Sequence, residues 1–473
     1  MSKVKTIVVN ICRFIVAPVL IFSGYVKAVD PLGTQYKIQD YLQALGVSDV
    51  LPDWITLGTS VALSALEFTL GVLLLFAINR RIVSRLIVAF MSVMTVITLW
   101  LAIANPVQDC GCFGDAIHLT NWQTFWKNVV LLAMSIIIMR SPLSMVRFIS
   151  KSNQWIVRTF TILYIVATSL WSLWDLPRFD FRPYHVGANI PEGMEIPEGE
   201  ELPKLETTFI MEKDGEQREF TLENYPDSTW TFIDSKTVQV SEGYVPPIHD
   251  FSLVLTDSGD DITDIVLSDS SYTFLLIAPF LEHADDSSFG AIDQIYEYAE
   301  QQGYAFYGVT SSDEVAIDRW RNLTGAEYPF CQADATMLKT VIRSNPGLVL
   351  LHGGGTIIRK WSHNALPDPD TLTKPLDQLP EGHLPDDSVA RKLLAILLWF
   401  ALPLIVLTIA DRLWAWTKWV KRKSKKQEIE AKAETTEASE SPENPEEPKN
   451  SEKPEKPDNP EEPKNQENPE KSE

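Results

Sequence analysis

The chain alternates long apolar runs with polar stretches, and the lengths of those runs set its architecture. Five runs precede residue 180, at about 6–28, 54–78, 82–104, 122–140 and 155–176, and a sixth follows at about 393–414. Each meets the roughly 20 residues a helix needs to cross about 30 Å of hydrocarbon, so the pattern predicts six transmembrane helices. The first run is too long for a signal peptide and lacks a convincing small-residue cleavage site, so it reads as a retained helix. Between the fifth and sixth runs the period changes. Residues 207–221 read as a hairpin turning at Asp214-Gly215, and from 246 onward short strands alternate with helices. Residues 272–278 suit a buried strand. Phe289, Ile292, Ile295, Tyr296 and Ala299 form a helical stripe. A strand at 304–309, a helix at 313–322, and strands 348–351 and 356–361 hinged on Gly353-Gly354-Gly355 complete the series. A β-α-β unit followed by a hairpin is the plan of a thioredoxin-like α/β sheet, so the fold class is a membrane α-helical bundle plus an α/β domain.

Basic residues orient the helices. Lys3 and Lys5, then Arg80, Arg81 and Arg85, then Arg140, Arg147, Lys151 and Arg158, and finally the cluster from Lys418 to Lys426 all fall on one face if the six runs span. Arg391 and Lys392 are the discordant pair. Both termini are then cytoplasmic, and the loop around Cys110 shares the outer side with 178–390, where disulfides can form. The expected divisions are 1–140 (four-helix membrane domain), 141–177 (cytoplasmic loop and fifth helix) and 178–390 (extracytoplasmic, thioredoxin-like from about 246 to 365). The sixth helix follows at 391–416, and a basic flank with a cytoplasmic tail at 417–473. From about 427 the tail is rich in Glu, Lys, Pro and Asn and repeats Asn-Pro-Glu-Glu-Pro-Lys-Asn, so it reads as disordered.

Composition sharpens this only in part. The net charge of −22 sits in the polar half and argues against nucleic acid as a partner. The bilayer is the one partner the runs require. Four cysteines are too few for a disulfide scaffold. Cys12 reads as a small hydrophobe and Cys331 as a lone buried cysteine. Cys110 and Cys112 differ, lying two residues apart in Asp109-Cys110-Gly111-Cys112-Phe113-Gly114-Asp115, outside the apolar runs. They support three readings: a reversible dithiol, an inert structural pair, or, with His118 and Asp115, ligands for a soft cation such as Cu(I) or Zn(II). A disulfide closed over one residue makes a small, strained and comparatively oxidising ring, and Gly111 suits the turn it needs. The carboxylates of Asp109 and Asp115 disfavour a thiolate, which points to a pair that stays oxidised or is activated by a partner.

Polar residues within the runs are the other signal. Glu67 falls near the middle of the second helix, where a carboxylate costs about 2.5–3.5 kcal/mol, and so should face the bundle interior. Asn128 is a candidate hydrogen-bonding neighbour if those helices pack. Glu67 either relays a proton to a quinone reduced by the thiols or makes a packing hydrogen bond as a protonated carboxyl. Arg13 lies near a helix end and is expected to snorkel. Trp122, Trp126, Trp171, Trp174, Trp414 and Trp416 read as interface anchors. Gly353-Gly354-Gly355 opens a hairpin, not a helix, and so is no phosphate cradle.

Arg13, then Phe22-Ser23-Gly24-Tyr25-Val26-Lys27, Leu66-Glu67-Phe68-Thr69-Leu70-Gly71, Cys110-Gly111-Cys112-Phe113-Gly114 and Asn128 together resemble the DoxX and MauE family of bacterial membrane proteins over about 1–140. The resemblance implies a four-helix core in the cytoplasmic membrane and a role in periplasmic disulfide chemistry, similar in concept to vitamin K epoxide reductases. The outer domain resembles peroxiredoxin and TlpA-type thioredoxin folds through Pro247-Ile248-His249-Asp250-Phe251-Ser252-Leu253 and Asn345-Pro346. Where those folds carry Cys-x-x-Cys, this chain has Ala278-Pro279-Phe280-Leu281-Glu282-His283-Ala284-Asp285, so dithiol activity is not inherited there. The expected function is a thiol–disulfide oxidoreductase or maturation factor using Cys110 and Cys112, with the outer domain binding an extracytoplasmic client or redox partner. The alternatives are metal handling through Cys110, Cys112 and His118, and non-catalytic envelope assembly.

Overall fold

The five apolar runs before residue 180 become helices whose ends fall within three residues of where hydropathy places them, and the sixth becomes part of a longer helical stretch. The structure is a computed structural model describing residues 3–47, 51–107, 110–200, 205–213, 216–221, 224, 230–239, 243–386 and 388–439. The membrane half comprises α1 (Lys3–Val29), α2 (Pro31–Ala44), α3 (Asp53–Leu75), α4 (Arg80–Ala104), α5 (Asn121–Arg140) and α6 (Gln154–Trp174). Among the described residues six helices are long and apolar enough to cross a membrane, the last within 389–431. α2 is not one of them. Its weakly apolar sequence left no signal, yet Asp30 caps it through Gly33 N at 2.9 Å with Pro31 in the first turn, a strong local start.

α1 packs most extensively on α3, and α4 on α5. The α1–α3 crossing is close because glycines lie in it. A Cβ at Gly24 would run into the Phe68 backbone, and one at Gly71 would meet Ile21 N at 2.8 Å. Arg13 does not snorkel. It is fully buried, donating to Val146 O at 2.7 Å, to Asn10 Oδ1 at 3.1 Å and to Leu75 O at the end of α3. The last carbonyls of a helix lack partners within it, and a guanidinium satisfies them better than headgroups could.

After α6, a strap containing α7 (Ile190–Met194) leads to β1 (Leu205–Lys213), β2 (Glu216–Thr221) and β3 (Thr231–Gln239), an antiparallel sheet in the order β2-β1-β3. The predicted hairpin is β1–β2, its turn at Asp214-Gly215 lying outside the described residues. β3 had not been anticipated. The larger sheet follows: β4 (Val254–Leu255), α8 (Thr263–Ser268), β5 (Tyr272–Ala278), α9 (Phe289–Gln302), β6 (Ala305–Thr310), α10 (Glu314–Thr324), β7 (Phe330–Gln332), α11 (Ala335–Val341), β8 (Gly347–His352) and β9 (Thr356–Ser362).

Strand order is β4-β7-β6-β5-β8-β9, with β5, β6 and β7 mutually parallel and β8 and β9 antiparallel. β5 is central and buried along its whole length. Phe274, Leu276 and Ala278 face the core under α9 and α10, while Leu275 and Ile277 face the core under α8 and α11. A βαβ unit joined to an antiparallel hairpin, with helices on both faces, is the thioredoxin-like arrangement. The α9 stripe differs in detail: Phe289 is exposed, and Tyr298 is buried in its stead, with its hydroxyl on Lys374 O. The Asn345-Pro346 bond is cis.

The chain then forms α12 (Val389–Ile396), a π-helical turn (Leu397–Ala401) and α13 (Leu402–Ser439). α13 thus takes in the start of the segment read as disordered from 427, and 440–473 lies outside the described residues. Residues 1–412 make one compact unit and 413–473 a second.

Candidate functional site

The Cys110 loop is built by constraints at both of its ends. α4 stops at Asn105, which is left-handed at φ 44°, and Asn121 at the start of α5 donates to Asn105 Oδ1 at 2.9 Å and Val107 O at 2.8 Å. Thr120 and Gln123 form a capping box that starts α5. Between them, Gly111 (φ 60°) and Gly114 (φ 52°) take conformations that L side chains avoid. Two hydroxyls grip the cysteine backbone. Tyr41 of α2 donates to Cys110 O at 2.5 Å, and Ser23 of α1 donates to Cys112 O at 2.6 Å. Both side chains are buried thiols, 2.8 Å apart at Sγ, packed with Leu101, Tyr41 and Trp100.

A buried polar chain continues inward from this loop. Lys27 Nζ donates to Ser23 Oγ at 2.9 Å and pairs with Glu67 Oε2 at 2.7 Å. Glu67 faces the interior as expected. The predicted hydrogen bond to Asn128 is not formed, since Asn128 donates to Thr98 Oγ1 at 3.2 Å. The reason is charge: an ammonium within reach is a stronger partner for a buried carboxylate than an amide. Lys27 is the functional residue the sequence reading passed over. The available signal was the rule that an acid inside one membrane helix calls for a base in another. Ser23, Glu67, Cys112, Phe113, Lys127 and Asn128 nonetheless line one small cavity of about 20 Å³. Most of the singled-out residues therefore do converge.

The electrostatics around the thiols depart from expectation. Asp109 lies outside the described residues, and Asp115 turns toward Arg343 Nη2 at 3.7 Å. What faces Cys112 is cationic. The hydrogen bond from Cys110, and then the ammonium groups of Lys127 and Lys27, bring the Cys112 thiol below the ordinary range, against burial and the Glu67 carboxylate. The same sulfur–sulfur hydrogen bond, with burial, pushes Cys110 up. Lys127 Nζ also lies 4.0 Å above the Phe113 ring.

The remaining candidates stand apart. Cys331 is fully buried in the sheet core with Val309 and Met337, its thiol pushed up to about 12 by burial, and it does not join the pair. His118 is exposed, and among the described residues no three His, Cys, Asp or Glu side chains gather to hold a metal ion, so the Cys110, Cys112 and His118 set finds no support. An apolar groove of about 380 Å³, lined by Tyr25, Phe68, Tyr164 and Phe400 among others, does not include Cys110, Cys112 or Glu67. For the quinone suggested from sequence, this groove offers no residue tied to the dithiol.

The sheet domain meets the loop at the same end of the bundle. Arg343, just after α11, pairs with Asp30 at 3.0 Å and reaches Asp115, its guanidinium 5.2 Å from the Tyr36 ring centroid. Lys339 lies between the rings of Tyr36 (4.9 Å) and Phe280 (4.8 Å). Phe280 O accepts from Asn345 Nδ2 at 2.8 Å. The pole where a redox thioredoxin carries its thiols is thus thiol-free here, and it rests on α2 and the Cys110 loop.

A comparison with curated proteins finds no matching sequence. Solved structures similar to the sheet domain include a proposed protein disulfide isomerase from Bacteroides thetaiotaomicron (17% identity, 25% of this chain and 77% of that one, TM-score 0.21). Others are the thioredoxin domain of a thiol-disulfide oxidoreductase from Bacteroides vulgatus (14%, 23% and 81%, 0.20) and peroxiredoxin Q from Xanthomonas campestris (15%, 24% and 78%, 0.19). Residues 205–242, spanning the three-stranded sheet, match a domain of unknown function (DUF8463). Residues 5–141, which carry the Cys110 loop, Lys27 and Glu67, match the model of the methylamine utilisation protein MauE, so over that stretch the chain is similar to the MauE membrane family.

Proposed function

We propose that this multi-pass membrane protein supports thiol–disulfide exchange, with Cys110 and Cys112 as the exchanging pair at the extracytoplasmic rim of the bundle. One observation carries the reading: two thiols lie 2.8 Å apart, their carbonyls clamped by Tyr41 and Ser23, and Cys112 lines a small cavity together with Glu67 and Lys127. A structural pair needs no buried charges beside it. A pair that exchanges does, because closing a dithiol releases protons and opening a disulfide leaves a thiolate. Glu67, held by Lys27, supplies a buried site that balances those charges. The outer domain has no thiol at its pole and serves as a docking platform, engaging the bundle through Arg343 and leaving its other surfaces for a client.

The deciding experiment is alkylation of the membrane-embedded protein before and after reduction, read as peptide masses. Alkylation of Cys110 and Cys112 is expected only after reduction, and is expected to be lost when the reduced protein is reoxidised with oxidised glutathione before the alkylating reagent is added. A Cys110→Ser/Cys112→Ser protein that keeps full cellular function would instead favour a non-catalytic docking role.

A further inference from the structure

The two sulfurs are not equivalent, and the charges around them say which does what. The cavity beside Cys112 is lined by one ammonium group, Lys127, and one carboxylate, Glu67, which pairs at 2.7 Å with the Lys27 ammonium behind it, while Cys110 does not line it. Lys27 is buried and committed to Glu67, so that pair is neutral by itself. Lys127 is half-buried over the Phe113 ring, and it shares the cavity with Asn128, Cys112 and the Lys27-paired Glu67. With Cys112 as a thiol, no carboxylate among the described residues is paired with the Lys127 ammonium, since Glu67 is held by Lys27. With Cys112 as a thiolate, the sulfur supplies that counter-charge. Among the described residues, the other groups around the loop are engaged elsewhere. The two thiols share one hydrogen bond in which either sulfur can donate, Tyr41 donates to Cys110 O, Lys37 packs beneath Gly111, and Asp115 lies 3.7 Å from Arg343 Nη2.

We propose that Cys112 is the resting thiolate and the leaving sulfur of the pair, and that Lys127, seconded by Lys27, is the positioning residue that keeps it so. The assignment rests on the exchange reading above and specifies its course. A client thiolate attacks Cys110 Sγ of the closed loop. The Cys110–Cys112 bond breaks, its electron pair going to Cys112 Sγ beside the ammonium groups, because the sulfur with the more stable thiolate leaves faster. The client's second thiol then attacks the client sulfur of the mixed disulfide. Cys110 is released and takes up the proton that this thiol gives up. The client dithiol loses two electrons to form its disulfide, the loop gains them, and charge and protons balance. By this geometry the loop is an oxidant, since stabilising the reduced form favours accepting electrons.

The test is the pH dependence of iodoacetamide labelling of the reduced full-length protein in lipid nanodiscs, with the labelled cysteine located by peptide mass. Cys112 is expected to label first, with its rate rising at a pH below that of an ordinary thiol. Lys127→Gln should move the midpoint up by about one pH unit, and so slow labelling near neutrality about tenfold. Lys127→Arg should restore it. Labelling of Cys110 first, or an unchanged midpoint in Lys127→Gln, overturns the assignment. So does a Lys127→Arg protein that behaves like Lys127→Gln, since that makes the effect structural and not electrostatic. The two readings fail separately. If Cys112 shows the lysine-dependent profile while the pair never closes with oxidised glutathione, the thiolate assignment stands and the exchange function falls.

Discussion

Gly111 and Glu67 show how single residues bear on the site. At Gly111 the backbone is left-handed at φ 60°, and an added Cβ would lie 3.1 Å from Lys37 Cγ. Gly111→Ala is expected to cost the loop about 1–2 kcal/mol and to slow closure of the Cys110–Cys112 disulfide, measured as its rate of formation with oxidised glutathione. Glu67→Gln leaves Lys27 buried without a counter-charge, and removing one partner of such a pair costs about 3–5 kcal/mol. Denaturant melts in detergent should show that loss. A Lys27→Met/Glu67→Leu protein should regain most of the stability while its thiols exchange poorly, which separates packing from chemistry. At this scale the sequence was informative wherever one residue breaks a local rule. The close thiol pair, the glycine between them and an acid in an apolar run were all visible. Lys27 was not recognised as the partner, because helical periodicity does not say which faces of which helices meet.

Elements were legible to the extent that their signals are local. Run length placed the membrane helices, and alternation of apolar runs with turn residues placed β5, β6, β8 and β9. α2 and β3 were missed for a shared reason, since neither carries a strong period. α2 is held by its cap and by Gln35, which donates to Asp53 O at 3.0 Å, and β3 by pairing with β1. The α1–α3 crossing is the element contact most sensitive to change. Gly24→Val places a branched side chain against the Phe68 backbone, where overpacking costs about 3 kcal/mol or more. The expected outcome is loss of the folded protein from the membrane fraction, whereas Gly58→Ala, with open space around it, should express normally.

For the molecule as a whole, the contacts between bundle and sheet domain matter most. Asp30 both caps α2 and accepts from Arg343, so one carboxylate ties a helix start to the domain above it. Arg343→Ala should loosen this docking and speed hydrogen exchange in α2 and the Cys110 loop, with little change in the sheet core. A second buried network fastens the strap after α6 to the sheet: Asp180 meets Arg182 at 2.7 Å and Lys360 at 3.0 Å. Burial opposes the Asp180 carboxylate, but Lys360 and Arg182 prevail and hold it well below the usual range. A group depressed in the folded state stabilises above its unfolded pKa. That contribution is therefore present at neutral pH and is lost as the pH falls below about 4. Thermal unfolding from pH 7 to pH 3 should show the decline, and Asp180→Asn should lower stability at pH 7 while flattening the decline.

The sequence by itself determined that six helices are long and apolar enough to cross a membrane, that an α/β sheet stands between the fifth and sixth, and that two cysteines stand close together in a loop between apolar runs. These follow from run length, period and spacing, which are properties of neighbouring residues. Tertiary structure alone decided that Glu67 pairs with Lys27, that Cys112 and not Cys110 lines the cavity with Lys127, and that the thiol-free pole rests on the loop through Arg343. Those outcomes depend on which faces of distant segments come together, and the buried environment then makes each charge pairing far stronger than it would be in water.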